Sequence, residues 1–282
     1  MKIALIPNLT RFEAEKITFD ICKRLDELNA EYCFPEEFRE NFSFTGADFG
    51  NIDEEIAGCD AVIAVGGDGS IIHGAKLAAV NHKPILGINA GRLAFMAGIE
   101  NNELDLLSHL IDGDYSIDRR LVLKASIIKD NRAIWSDYCV NDCYVTNEEK
   151  QRMSAINVMF NSGEAKDYIC DGIVVATPTG STAYSLSAGG PVVDPELESI
   201  LVTPVCPHSL VSRSLIFKAD AVITVFVEEG QTLGCSTDGQ ILKSVDNSSR
   251  IEISAADFTA DFIRIKSDNF IDKLYKKLAQ RN

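Results

Sequence analysis

A run of hydroxyl-bearing residues at positions 177–182 is the segment of this chain best suited to chemistry. It lies within residues 171–190, where a short apolar strand leads into Thr177-Pro-Thr-Gly-Ser-Thr182. Backbone N–H groups at a helix start, with Ser and Thr hydroxyls beside them, hold phosphate without any positively charged side chain. Pro178 fixes the turn, and Gly180 allows a close backbone approach. The segment predicts an anion cradle; the alternative is an ordinary capped helix start, which needs one hydroxyl rather than four.

A second candidate phosphate loop follows residues 60–65, which read as a fully buried strand of a parallel sheet. The strand ends in Gly66-Gly67-Asp68-Gly69-Ser70, and residues 71–80 read as a helix. This order of elements places a ligand at the carboxyl end of the strand. The loop is neither a Walker A motif, which needs Gly-Lys-Ser/Thr, nor a dinucleotide fingerprint, because Ile72 stands where a third glycine is needed. Taken alone, Asp68 fits a turn residue equally well.

Several motifs together resemble the NAD kinase family, in particular its ATP-dependent bacterial members. GGDG alone would also fit diacylglycerol and sphingosine kinases, whereas the TPTGSTAYSLSAGGP run at 177–191 is far more specific. The motifs are GGDGS at 66–70, GINAGRLAF at 87–95, Asn141-Asp142, the run at 171–191, PHSLVSR at 207–213 and Asp238-Gly239-Gln240. The departures are modest: Ser70 replaces Thr or Asn, Asp142 replaces Glu, and Ala94 replaces Gly.

The resemblance implies an enzyme that uses ATP to phosphorylate the 2′-hydroxyl of the adenosine ribose of NAD, which gives NADP. Asp68 is then the catalytic candidate, as a general base, as a ligand of Mg²⁺ or as a residue that orients the hydroxyl. Asn141 and Asp142 would hold the ribose and nicotinamide side of NAD. With this reading, the candidates for binding the substrates are Gly69, His73, Asn89, Phe95, Asn141, Asp142, Arg152, Asp171, Thr179, Thr182, Ala183, Tyr184, Ser185, Leu186, Ser187 and Gln240.

Several of these assignments have a structural alternative. The Asn141-Asp142 pair also fits a β-bulge or an exposed pair on a strand. Tyr184 also fits a buried aromatic residue in the first turn of a helix. Asn89 and Phe95 would line the adenine pocket, but Phe95 also fits an ordinary core position. His73 and Arg152 fit solvated side chains as well as phosphate or dinucleotide contacts.

Positively charged side chains are scarce in the motifs, and Ile169 stands where some relatives carry a basic residue. The binding of ATP to an acidic protein therefore implies Mg²⁺, or another divalent metal ion, as the principal counter-charge. No metal site made by protein side chains alone is expected, since the eight cysteines and four histidines show no spacing typical of zinc. The resemblance also implies a homodimer or a homotetramer.

The composition argues against some classes of partner and favours one cellular compartment. A net charge of −15 and a pI near 4.7 argue against nucleic acid, which would need a basic face. No apolar run approaches the ~20 residues of a membrane-spanning helix, so no membrane partner is expected. Residues 1–8, interrupted by Pro7, read as a first strand rather than a secretory signal. The scattered cysteines favour reduced thiols in a cytoplasmic protein.

The elements that must position the first loop alternate between strand and helix. Residues 2–7, 60–65 and 84–88 read as strands, and residues 35–51 read as a loop. Helical periods lie at 17–28, after a capping box at 10–13, and at 71–80 and 103–111. This pattern predicts a Rossmann-like α/β domain made of residues 1–114 and 267–282, to which a final helix at 268–280 returns.

The elements that must position the hydroxyl run are strands. Strand-like segments lie at 121–128, 133–145, 154–160, 169–176, 221–228, 250–254 and 262–266. They predict a β-rich, β-sandwich-like domain over residues 115–266 that carries the TPTGSTAYS run, and the resemblance implies that this domain binds NAD. Cys139 and Cys143, four residues apart, are expected on one face of a single strand.

Two other functions stay open at this point. A lipid or small-alcohol kinase of the same superfamily would need an apolar acceptor pocket, and nothing in residues 171–191 indicates one. A non-catalytic NAD(P)-binding regulator would need neither Asp68 nor both loops intact. Phosphorylation of NAD, but not of a diacylglycerol or a sphingoid base, separates the first from the leading hypothesis, and a single-turnover assay separates the second.

Overall fold

The chain divides into two compact units, and the computed structural model describes residues 1–10, 13–91, 94–148, 155–209, 212–267 and 269–279. One unit comprises Met1–Arg119 and Thr259–Asn282, and the other comprises Arg120–Phe258. The sequence predicted divisions at 114/115 and 266/267. The observed divisions fall inside two long strands, 116–129 and 249–264, where no change of composition marks them.

Strands and helices alternate in the first unit, and strands dominate the second. The strands are β1 (Lys2–Pro7), β2 (Glu31–Pro35), β3 (Asp48–Gly50), β4 (Ala61–Gly66), β5 (Ile85–Asn89), β6 (Ile99–Glu100), β7 (Ser116–Lys129), β8 (Arg132–Cys139), β9 (Asp142–Asn147), β10 (Ala155–Phe160), β11 (Lys166–Ile169), β12 (Gly172–Ala176), β13 (Ser199–Val205), β14 (Leu215–Lys218), β15 (Ile223–Phe226), β16 (Thr232–Thr237), β17 (Gln240–Asp246) and β18 (Ser249–Arg264). The helices are α1 (Ala14–Glu27), α2 (Arg39–Phe42), α3 (Ile52–Gly58), α4 (Asp68–Val80), α5 (Leu107–Asp112), α6 (Tyr184–Ser187) and α7 (Phe270–Ala279). Within the described residues, no helix is long and apolar enough to cross a membrane.

A parallel sheet forms the first unit, which confirms the predicted Rossmann-like α/β class. Its strands run in the order β3-β2-β1-β4-β5, and β6 and the end of β18 also pair in parallel with β5. β4 and β5 are buried over their whole length, as expected of strands covered on both faces. Gly66 and Asn89, the last residues of these strands, are partners in the register. The glycine loop and Asn89 therefore share the carboxyl edge of the sheet, the edge at which open α/β sheets generally bind ligands.

Residues 35–51, predicted as a loop, are largely structured. They include α2, β3 and a short 3₁₀ helix at Glu36–Phe38. Phe34 is fully buried, and its ring stacks on that of Phe42 with centroids 4.6 Å apart. These elements are too short to show a strand or helix period, so the sequence pattern does not reveal them.

Two sheets of antiparallel strands that share one hydrophobic core form the second unit, which confirms the predicted β-sandwich-like class. One sheet has the order β14-β13-β12-β9-β16-β17, and the other contains β11-β10-β15-β18, with β7 paired to β8. Val145 and Val175 enter the shared core from the first sheet, and Val158 and Val225 enter it from the second. This packing of two inner faces is that of a sandwich.

The predicted strand at 133–145 is two strands in different sheets. β8 ends at Cys139 and pairs with β7, whereas β9 begins at Asp142 and lies between β12 and β16. Val140 and Asn141 carry the chain from one sheet to the other. The Asn141-Asp142 pair therefore lies at a strand break and not on a bulge or an exposed strand, and Cys139 and Cys143 do not share one strand.

The hairpin of β16 and β17 was not predicted as a pair of strands. Asp238 and Gly239 form its two-residue turn with φ values of 48° and 70°. Such left-handed values at both positions are those of a type I′ turn, for which Asn-Gly and Asp-Gly are the preferred sequences. The segment at 250–254 and residues 262–264 of the segment at 262–266, predicted as separate strands, belong to one strand, β18.

Candidate functional site

The GGDGS loop joins β4 to α4 and places Asp68 in the first turn of that helix. Gly67 is the N-cap with an extended backbone, and α4 begins at Asp68. The backbone N–H of Met96 donates a hydrogen bond of 3.0 Å to Asp68 Oδ1. The Asp68 carboxylate is thus held by a second segment of the first unit, the one that follows the GINAG motif. The Asp68 backbone is not left-handed, so Asp68 is not the turn residue of the alternative reading.

The rest of the glycine loop combines a tightly packed position with an open one. Asn8 Nδ2 donates to Ser70 Oγ at 2.7 Å, and a Cβ at Gly66 would lie 2.6 Å from Ser70 Cβ. A Cβ at Gly69 would meet no atom of the described residues within 4 Å. Gly66 is therefore required by packing, whereas the space beside Gly69 is available to a ligand.

The other candidates of the first unit lie at or near the same sheet edge. Asn89 is 2% exposed, and its amide nitrogen donates to Glu100 Oε2 at 2.7 Å, while its Oδ1 is buried and has no partner within the described part of the chain. Phe95 and His73 are half-buried, and His73 lies on α4. Asn89 thus keeps one hydrogen-bond acceptor unused, and Phe95 is not an ordinary core residue.

In the second unit, the loop after β12 is held by its own hydroxyls. Thr177 Oγ1 donates to the Val140 carbonyl at 2.6 Å, the Thr177 N–H donates to the Asn141 carbonyl at 2.9 Å, and the Gly180 N–H donates to Thr177 Oγ1 at 3.0 Å. A Cβ at Gly180 would lie 2.0 Å from the Asn141 carbonyl oxygen. The close approach predicted for Gly180 is therefore to the protein's own backbone.

Two of the four hydroxyls of the run, those of Thr177 and Ser181, are buried and hydrogen-bonded within the loop. Thr177 is used as just described, and Ser181 Oγ accepts from the Val193 N–H at 3.1 Å and donates to its carbonyl at 3.3 Å. Thr182 Oγ1 donates to the Thr179 carbonyl at 3.3 Å, and Arg120 Nη1 donates to Thr179 Oγ1 at 3.4 Å. Arg120 was missed, because it lies 59 residues before Thr179 and outside every motif.

Helix α6 is a single turn with alternating exposure. Ala183, with φ −97° and ψ −124°, separates it from the 3₁₀ helix at Thr179–Thr182. Ser185 is fully buried, and its hydroxyl pairs with that of Thr203 at 3.0 Å. Leu186 is half-buried and Ser187 is exposed. The Ser185 hydroxyl thus supports the loop, while Ser187 lies at the surface.

Tyr184 is 40% exposed, so it is not the buried aromatic residue that the alternative required. Its ring meets that of Tyr144 edge to face, with centroids 5.0 Å apart. A Cβ at Gly172 would lie 2.5 Å from the ring of Tyr144, so the glycine leaves room for that ring. Tyr144 was also missed, although the glycine before an apolar strand was a usable indication.

Asp142 is a buried carboxyl group. It is 6% exposed, and this burial, together with the negative charge of Asp238, raises its pKa to about 7, although the backbone N–H of Tyr184 acts in the opposite direction. Asn141 beside it is half-buried. At neutral pH the protonated and ionised forms of Asp142 are thus both populated.

Two further candidates lie at the starts of strands in the second unit, Asp171 directly before β12 and Gln240 in β17. Asp171 is exposed, and its backbone carbonyl accepts from Thr146 Oγ1 at 3.1 Å. Gln240 is half-buried at the start of β17. Arg152 lies outside the described residues. Among those residues, no group of three or more His, Cys, Asp or Glu side chains is placed to hold a metal ion, and all eight cysteines are free.

Comparisons with known proteins match this chain to NAD kinases over nearly its whole length. Residues 3–115 match the ATP-NAD kinase N-terminal domain, and residues 140–265 match the ATP-NAD kinase C-terminal domain. An NAD kinase of Thermoanaerobacter sp. (strain X514) is 37% identical over 99% of both chains, and one of Acetivibrio thermocellus is 31% identical over 100% of this chain and 98% of that relative.

Two solved structures share the fold. Yeast NADH kinase complexed with NADH has a TM-score of 0.90 at 22% identity and covers 99% of this chain and 87% of that one. An NAD kinase from Archaeoglobus fulgidus in complex with ATP has a TM-score of 0.74 at 24% identity over 99% of both chains. The two domain matches and the identities over full length lead to one conclusion: this chain belongs to the ATP-NAD kinase family.

Proposed function

We propose that this chain transfers the γ-phosphoryl group of ATP to the 2′-hydroxyl of the adenosine ribose of NAD, with Asp68 acting on that hydroxyl. Membership of the family makes the chain an NAD kinase, a phosphotransferase with an alcohol acceptor. The observation that carries the role of Asp68 is its placement in the first turn of α4, fixed by the Met96 N–H, beside the open space at Gly69.

Phosphoryl transfer asks the protein mainly for positioning and for neutralisation of charge. A carboxylate is far too weak a base to deprotonate a free hydroxyl. Asp68 therefore assists only as the proton becomes acidic in the transition state, and such assistance is typically worth ~10²–10⁴-fold in rate. Its anchored oxygen, Oδ1, fixes the direction in which the carboxylate points.

Each of the two units contains groups suited to binding NAD. In the second unit these are Asn141, Asp142, the exposed ring of Tyr184 and the exposed Asp171. In the first unit, the unpaired Oδ1 of Asn89 is an acceptor of the type that the amino group of adenine requires. The other predicted contacts, Gly69, His73, Phe95, Thr179, Thr182, Ala183, Ser185, Leu186, Ser187, Gln240 and Arg152, stay part of this proposal.

The residues present fit a divalent metal ion that arrives with ATP. Mg²⁺ usually keeps several waters and is bound by one or two carboxylates together with substrate phosphates. Asp68, a single anchored carboxylate beside open space, meets that requirement. Mg²⁺ would supply counter-charge to the phosphates.

The assembly and the compartment complete the proposal. We expect a homodimer or a homotetramer, and light scattering of the purified chain measures its mass directly. A cytoplasmic location is supported by eight free thiols, seven of them buried, in a chain that needs no disulfide.

The decisive experiment is a coupled assay for NADP formation from NAD and ATP. The wild-type chain should form NADP and should not phosphorylate a diacylglycerol or a sphingoid base; the reverse result would favour a lipid kinase. Asp68→Asn keeps the shape and removes the charge, so kcat should fall by at least ~10²-fold while the Kd for NAD is kept. Asp53→Asn, an exposed first-turn position of α3, is the matched control and should leave kcat unchanged. Near-normal turnover by Asp68→Asn would remove Asp68 from the mechanism.

A further inference from the structure

We propose that Asp238 is a positioning residue for dinucleotide binding, whose carboxylate holds the backbone of residues 140–142 in the geometry that presents Asn141 and Asp142. The inference rests on the proposed function, because it assigns the Asn141-Asp142 pair to NAD. Asp238 does not itself need to touch the substrate.

Three consecutive backbone N–H groups donate to this one carboxylate. The N–H of Val140 lies 2.9 Å from Oδ2 of Asp238, and the N–H groups of Asn141 and Asp142 lie 2.8 and 3.1 Å from Oδ1. The Asp238 N–H in turn donates to the Asp142 carbonyl at 2.9 Å. Residues 140–142 leave one sheet and enter the other, so strand pairing does not provide acceptors for all these donors. Asp238 satisfies them from the hairpin turn of β16 and β17.

The turn itself does not require a carboxylate. Asp238 and Gly239 have the left-handed φ values of a type I′ turn, and asparagine suits the first of these positions as well as aspartate does. The negative charge of Asp238 also disfavours the ionised form of Asp142 and helps to raise the pKa of Asp142. A residue selected only for turn geometry would avoid that repulsion. The carboxylate is therefore explained by the two acceptor oxygens that three N–H groups need.

The same backbone segment, residues 140–142, also holds the start of the hydroxyl-rich run at residues 177–182. The carbonyl of Val140 accepts the Thr177 hydroxyl at 2.6 Å, and the carbonyl of Asn141 accepts the Thr177 N–H at 2.9 Å. The N–H side of this segment is thus held by Asp238, and its C=O side holds the start of TPTGST. Loosening the segment at Asp238 would displace Asn141, Asp142 and the loop together.

The test compares Asp238→Asn with a matched control, Asp246→Asn. Asp246 is the exposed last residue of β17, directly before the turn to β18, and accepts from the Ser248 N–H. Asp238→Asn keeps the preferred turn sequence but offers one acceptor oxygen, so the KM for NAD should rise at least ~10-fold while the KM for ATP changes less than ~2-fold. The control should change neither constant.

A pH profile separates positioning from a merely structural role. The titratable groups beside Asp142 are Asp238 on the hairpin and the buried Cys143 thiol on β9, while α6 offers the Tyr184 N–H. Removing the charge of Asp238 should move the midpoint of the pH dependence of the KM for NAD toward acid, because that charge helps to raise the pKa of Asp142. A general loss of folding would lower activity without moving that midpoint.

Two results would overturn the proposal. One is a folded Asp238→Asn enzyme whose KM for NAD and pH midpoint equal those of the wild type. The other comes from the wild-type protein alone: hydrogen exchange of the amides of residues 140–142 should be slow without ligand, and exchange as fast as at an exposed turn would exclude the hydrogen bonds. A wild-type chain that forms no NADP would instead contradict the proposed function.

Discussion

Replacing Asp142 by asparagine should make the stability of the second unit less dependent on pH. Burial of Asp142 and the charge of Asp238 raise its pKa from the ordinary 3.8 to about 7. A carboxyl group with a higher pKa in the folded state than in the unfolded state stabilises the fold fully below the unfolded pKa. That contribution is lost as the pH rises through the folded pKa. The amide of asparagine does not titrate, so the variant lacks this dependence.

The size of the effect follows from the two pKa values. A change from 3.8 to about 7 corresponds to about 4 kcal/mol of unfolding free energy across the whole titration. Between pH 5 and pH 8, about 3 kcal/mol of this is lost, because the group is almost fully protonated in the folded state at the first pH and almost fully ionised at the second.

Urea unfolding followed by the fluorescence of Trp135 measures this loss. Trp135 is the only tryptophan of the sequence and packs against the core of the second unit, so it reports on that unit even if the two units unfold separately. Between pH 5 and pH 8, the wild type should lose about 3 kcal/mol more than Asp142→Asn. Asp246→Asn, at the exposed end of β17, should follow the wild type. Curves for the wild type and Asp142→Asn that stay parallel within about 1 kcal/mol would refute the reasoning.

The remaining predictions concern Gly180 and the division of the substrates. Gly180→Ala should destabilise the fold by ~3 kcal/mol or more and weaken NAD binding in parallel, because the new Cβ would lie 2.0 Å from the Asn141 carbonyl. Thermal unfolding measures the stability, and calorimetry measures the NAD binding. The control Gly69→Ala, at an open position, should change the stability by ~1 kcal/mol at most. If Gly180→Ala bound NAD more weakly but kept its stability, the explanation would be contradicted. Asp142→Ala should raise the KM for NAD about 10–100-fold more than that for ATP, since a lost hydrogen bond to a charged group costs roughly 1.5–3 kcal/mol. Steady-state titrations test this, and equal shifts for both substrates would contradict it.

The two loops could be predicted from the sequence because their information is local. Gly66-Gly67-Asp68 follows a buried apolar strand directly, and the structure places Asp68 in the first turn of the helix that begins there. Both fold classes follow from the same kind of pattern, since alternating apolar segments along the chain decide between an α/β sheet and a sandwich.

The strand break before Asp142 could not be predicted because its cause is distant. The apolar and β-branched residues of 133–145 favour one continuous strand, and nothing within that segment stops it. After the chain leaves β8 at Cys139, the freed N–H groups find their acceptors on Asp238, 96 to 98 residues later. The Asp238-Gly239-Gln240 motif was recognised in the sequence, but its contact with residues 140–142 depends on the tertiary fold.

Asn141 makes this part of the site hard to dissect by ordinary mutagenesis. Its N–H is bound by Asp238, its carbonyl accepts from Thr177, and the same carbonyl lies against Gly180. A change that moves this backbone therefore alters folding and ligand binding together, and a loss of activity alone would not distinguish them. Asp142→Asn keeps the side-chain shape and removes only the charge, so it leaves the hydrogen bonds from Asp238 and Thr177 to this backbone in place. It allows the contribution of the Asp142 carboxylate to NAD binding to be measured without a displacement of Asn141.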